Sequence, residues 1–283
     1  MPITSDSVFT YTFLLCVALV VCAFTLFGVI RRNAPELGWH RHGKVNTEFL
    51  NIIDILGISI FFGIYAFFLK EYLDPPRLDE NGDPVIVKIT PAILFVGMIV
   101  QLVPAMVVLV LLIFRKIDPI RFFGVLSKSA RYLIVIAPAG VIVTYLFLYG
   151  LEATGYNAWL SDHFGDQAKL QQTVKTYQEA NAVTVRVMIA ISVVLIAPIA
   201  EEIVFRGYIY TVTKRFSDRF FAAALSSLLF GVVHFNIMAL LPLVFLALIL
   251  TLAYELTGSL WAPISIHAMF NGTTILFQEI QFH

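Results

Sequence analysis

Six polar side chains, Glu201, Glu202, Arg206, His234, His267 and Asn271, interrupt three apolar stretches near the C-terminus. Ionisable groups at membrane depth cost several kcal/mol unless they pair or face a cavity, so such residues are candidates for function. A carboxylate beside a neutral imidazole can take a proton from water and make it nucleophilic. An amide NH₂ together with an imidazole NH can hold the oxyanion that forms when a peptide carbonyl is attacked. Glu201 and His234 fit the first task, His267 and Asn271 the second.

Spacing divides the acids. In APIAEEIVFRGY, Glu202 and Arg206 stand four apart on one helix face, in the favourable order for a carboxylate and a guanidinium. Glu201 is turned about 100° away and is predicted to point into a cavity, with Pro198 one turn earlier able to kink the helix and open space. Phe230 and His234 are four apart in FGVVH, and His267 and Asn271 four apart in APISIHAMFN, one turn after Pro263. Three helices thus present polar residues that satisfy one another only by converging. Taken singly, a membrane His or Asn is as well explained by a helix-to-helix hydrogen bond. Phe230 reads as packing, Glu202 with Arg206 as support, and Glu255 and Arg186 as interfacial residues.

The positioning elements are membrane helices. Of 283 residues, 59% are apolar and 13% charged, with mean hydropathy +0.86, against about a quarter charged in soluble domains. The expected fold is an all-α, multi-pass transmembrane bundle of about eight spans, with a polar catalytic cavity formed by the C-terminal helices. Apolar runs place the spans near 8–30, 49–69, 91–114, 132–150, 184–212, 219–236, 238–256 and 259–279. The least marked break lies near Asn236. A small strand is expected at 85–87 and an interfacial helix near 167–180. Residues 1–182 supply N-terminal spans and loops, and 183–283 the catalytic region.

Basic residues follow spans one, three and five, Lys214, Arg215 and Arg219 among them, which orients those loops to the cytoplasm. Glu201 lies thirteen residues before Lys214, roughly 20 Å along a helix, so a water-filled opening from the cytoplasmic side is expected. The setting is a bacterial-type cell membrane. Zero net charge and the absence of any nucleic-acid-binding motif exclude a nucleic-acid partner. Cys16 and Cys22, six apart in one apolar run, are expected as buried thiols.

The motifs EExxxR (Glu201, Glu202, Arg206), FxxxH (Phe230, His234) and HxxxN (His267, Asn271) occur in that order within apolar spans. Over roughly 183–280 the chain resembles the CAAX protease and bacteriocin-processing family, which includes the type II CAAX prenyl endopeptidases. The resemblance implies an intramembrane endopeptidase in which Glu201 and His234 activate water, His267 and Asn271 stabilise the oxyanion, and Glu202 and Arg206 brace the site. The implied partners are the lipid bilayer and a peptide or protein substrate, membrane-anchored or prenylated in the prenyl-processing branch. No cofactor is expected. The alternatives are a zinc protease using Glu201 and the two histidines, against which no HExxH helix exists; a non-enzymatic scaffold or immunity-type protein; and a transporter.

Overall fold

In a computed structural model of the chain, the described residues are 43–58, 90–164, 182–234 and 236–282, together with Arg32 and Phe61. The expected first span, most of the second, the strand at 85–87, the helix near 167–180 and both cysteines lie outside them. Among the described residues the structure is helical, with no strand. Seven helices carry the architecture: α1 (Pro91–Phe114), α2 (Leu133–Ala153), α3 (Tyr156–Phe164), α4 (Val183–Phe216), α5 (Arg219–Val232), α6 (Ile237–Thr257) and α7 (Trp261–Phe282). Four of them, α1, α2, α4 and α6, are long and apolar enough to cross a bilayer. The protein is an integral membrane protein.

Local chemistry sets the helix ends. Thr90 accepts from the Ile93 N–H and is followed by Pro91, whose missing N–H costs nothing in a first turn. Asp218 accepts from the N–H groups of Phe220 and Phe221 at the start of α5, and Asn236 from that of Ala239 at the start of α6. Gly258 closes α6 at φ 65°, a left-handed conformation that costs glycine nothing.

Two expectations need revision. The sixth span was expected over 219–236, but α5 has fourteen residues. At 1.5 Å per residue it rises about 21 Å, short of a hydrocarbon layer of about 30 Å. The helix stops because Asn236 caps its successor, with Val233 and His234 turning out of α5. The eighth, α7, forms as a helix of 22 residues, yet His267, Asn271, Gln278 and Glu279 keep it out of the strongly apolar set.

Exposed apolar side chains such as Ile99, Val103, Met106 and Val110 coat the outside of α1, as suits lipid contact. The main core joins α1, α4, α5 and α6 through Val108, Val204, Phe205, Leu229, Phe230 and Ala247. A second core joins α2, α6 and α7 through Val141, Leu250, Ala262 and Ile266. Between these two cores lie the polar faces of α4 and α7.

Candidate active site

The helix α4 is not uniform. Ser192–Ile196 and Ile203–Tyr210 are π-helical, with an α-helical stretch Ala197–Glu202 between them. The Ala197 N–H reaches back five residues to the Ser192 carbonyl. That leaves the Val193 carbonyl without its α-helical donor, and its π-helical donor would be Pro198, which has no N–H. The Asn271 Nδ2 fills the vacancy, donating to Val193 O at 2.8 Å. The widening of α4 above Pro198 is thereby tied to α7.

Glu201 and Glu202 diverge. Glu202 is fully buried and accepts from Arg206 Nη1 at 2.8 Å; Arg206 is also fully buried, with its guanidinium 4.3 Å from the centre of the Phe230 ring. The same Glu202 oxygen accepts from His267 Nδ1 at 2.9 Å. Glu201 instead lines a cavity of about 250 Å³, shared with His234, His267 and Asn271. Its Oε2 lies 3.9 Å from the Nε2 atoms of both His234 and His267. Four buried atoms of this assembly, Glu201 Oε2, Glu202 Oε2, Arg206 Nε and Arg206 Nη2, make no hydrogen bond among the described residues. Phe230 sits beneath, its ring 4.8 Å from that of His234 and 5.7 Å from that of His267.

The hydrogen bonds fix the histidine tautomers. A carbonyl only accepts, so His234 Nδ1, 2.7 Å from Phe230 O, carries a proton. His267 Nδ1 likewise donates to the Glu202 carboxylate. With neutral rings, both Nε2 atoms therefore turn lone pairs toward Glu201 Oε2. Three acceptors around one point call for a molecule or ion with protons or positive charge between them.

A water suits the spacing: at hydrogen-bond distances of about 2.8 Å it reaches two acceptors 3.9 Å apart. Zinc suits it less well, since donors bound at ~2.0–2.2 Å in a tetrahedral set stand roughly 3.4 Å apart. No group of three or more His, Cys, Asp or Glu among the described residues is close enough to hold a metal ion as placed.

The cavity extends beyond Glu201, His234, His267 and Asn271. Gln101 of α1, Ser192 of α4, and Thr274 and Gln278 of α7 also line it. It runs from Glu201 toward Ile189 and Gln278, away from the end where Lys214 Nζ donates to Val45 O. The extra lining residues had a signal in the sequence: Thr274 and Gln278 continue the face of His267 and Asn271 at +7 and +11.

Two further polar assemblies lie toward the basic end. Asp54, 2% exposed, pairs with Arg115 and accepts from Tyr208 Oη at 3.2 Å and from the Asn51 N–H at 2.7 Å. Glu255, expected at the interface, instead pairs with the fully buried Lys214 and accepts from Tyr210 Oη at 2.6 Å.

Comparisons with known proteins agree with this region. Residues 183–273 match the model of the family described as Type II CAAX prenyl endopeptidase Rce1-like. The chain is 29% identical over 174 residues to the putative membrane peptidase YdiL of Bacillus subtilis, covering 62% of this chain and 68% of the relative. It is 25% identical over 199 residues to the membrane-embedded CAAX protease MroQ of Staphylococcus aureus, covering 68% and 76%. No solved structure matches the chain significantly.

Proposed function

We propose that this chain, a membrane protease of the Rce1-like family through residues 183–273, is an endopeptidase that cleaves with a water activated by Glu201 and His234. The observation that carries the reading is the approach of Glu201 Oε2 to within 3.9 Å of His234 Nε2 and His267 Nε2 in one cavity. A water held between Glu201 and His234 donates a hydrogen bond to each and gives up a proton as it attacks the scissile carbonyl. The developing oxyanion needs donors. Asn271 Nδ2 keeps one N–H free after its bond to Val193 O, and His267 supplies a second donor from Nε2 when its ring holds a proton on both nitrogens, taken from solvent before the substrate binds and kept through the turnover. The proton taken up from water passes to the leaving amine. Glu202 and Arg206 hold His267 in place, and Phe230 packs under both imidazoles.

The reading sets this site in a bundle of about eight spans in a bacterial-type cell membrane, acting on a membrane-anchored peptide or protein. Whether that substrate is prenylated is decided by comparing cleavage of one peptide with and without the lipid. The test of the reaction uses the full-length protein in membranes beside Glu201→Gln. The wild type should generate new peptide termini, detected by mass spectrometry, and the variant should retain uncleaved substrate; equal cleavage by both would overturn the proposal.

A zinc-dependent reading draws on one observation: both Nδ1 atoms are engaged, as in histidines that bind metal through Nε2. The 3.9 Å separations weigh against it. Metal analysis of the purified protein, and activity after a strong chelator, separate the two.

A further inference from the structure

From the polar lining beyond Asn271, we infer that the cavity holds an extended stretch of substrate backbone, with Gln101 and Gln278 as its hydrogen-bonding partners. The inference rests on the protease reading above and adds where the substrate lies. On α7 the cavity-lining polar residues His267, Asn271, Thr274 and Gln278 form one stripe. Eleven residues separate its ends, about 16 Å of helix and the length of roughly five residues of extended chain. Across the cavity stand Gln101 and Ser192, themselves joined by a hydrogen bond of 3.0 Å from the Ser192 hydroxyl to Gln101 Oε1.

Glutamine inside an apolar helix such as α1 is costly unless its amide is matched. A primary amide offers donors and an acceptor in nearly the arrangement of a peptide group, so it can pair with a peptide chain of any side-chain identity. Ser192 engages only the Gln101 oxygen, which leaves the NH₂ to donate to a substrate carbonyl. Thr274 is engaged elsewhere, 3.1 Å from Tyr145 Oη, and serves as wall. The wall at the Gln278 end is apolar, with Ile189 and Ile275 lining the cavity and packing with Leu94 and Val185, and the Arg186–Glu279 ion pair joins α4 to α7 at 3.6 Å. A peptide with its scissile carbonyl at Glu201 therefore extends toward this end, opposite the basic loops.

The experiment uses the full-length protein in lipid nanodiscs and a quenched fluorescent peptide selected by the wild type from a pool of randomised octapeptides. Gln101→Leu and Gln278→Leu should each raise KM about three- to tenfold with kcat within about twofold, as expected for a lost backbone hydrogen bond. Leu276→Ala, on the exposed side of α7, is the control and should change neither. N-methylating backbone amides on one side of the scissile bond should weaken the peptide for the wild type and have less effect on Gln278→Leu, which lacks the amide oxygen that would accept from a substrate N–H; Gln101, which donates to a carbonyl, is read by KM alone. Unfolding temperatures of all variants guard against misfolding; leucine in an apolar helix should not lower them. Unchanged KM in both leucine variants, or a fall in kcat alone, overturns the placement while leaving the protease reading intact. Failure of the wild type to cleave any peptide faster than Glu201→Gln overturns both.

Discussion

Two carboxylate–arginine assemblies in this molecule use the same side chains to opposite ends. Around Asp54 both carboxylate oxygens are engaged: Arg115 and Tyr208 reach one and the Asn51 N–H the other, while the second Arg115 nitrogen donates to Phe49 O at 3.1 Å. Around Glu202 and Arg206, four buried atoms are left without partners. Glu202 and Arg206 are fully buried, whereas Asp54 is buried beside an Arg115 that is 18% exposed, so an unpaired group costs more around Glu202. A saturated network has finished its work on folding. An unsaturated one keeps capacity for something that arrives later, which in the proposed reaction is a water, a substrate carbonyl and a proton.

The contrast can be broken in order of expected effect. Glu201→Gln should lower kcat by about a thousandfold or more, measured on any cleaved peptide, while the unfolding temperature stays near that of the wild type, because Glu201 braces nothing. Arg206→Met should cost about 3–5 kcal/mol in denaturant unfolding, since it leaves the buried Glu202 carboxylate with the His267 hydrogen bond but without its guanidinium partner. The double substitution Glu202→Gln with Arg206→Met should recover part of that loss without recovering activity. Asp54→Ala should destabilise by about 2–4 kcal/mol for the same reason, yet the folded fraction should keep its kcat; a kcat falling with stability would show that the two assemblies are not separate. Tyr208→Phe should be the mildest, about 1 kcal/mol, as it removes one hydroxyl from a network with other donors.

The sequence made much of this legible, and its failures have physical causes. The helices α1, α2 and α6 were legible because long apolar runs flanked by Pro91, Asn236 and Gly258 admit little else. The different orientations of Glu201 and Glu202 followed from the angle between successive residues on a helix. The end of α5 did not, because capping by Asn236 competes with an apolar stretch that reads as continuous. The pairing of Lys214 with Glu255 spans 41 residues, and a charge near a span end looks the same in sequence whether lipid headgroups or a partner neutralise it. Pro198 signalled a disturbance in α4 but not its kind. A kink and a widened turn both answer a missing N–H, and only the position of Asn271 on another helix selects the second.

That widened turn has a consequence for how the protein tolerates change. Each π-helical turn takes in more chain per revolution than an α-helical one, so Ser192–Ile196 sets the rotational phase of everything that follows it in α4. Closing those five residues to ordinary pitch without removing one would swing Glu201 and Glu202 round by about 100° relative to Val185 and Ile189, whereas removing one residue as the turn closes would restore their phase. The candidate site is thus encoded partly as a count of residues.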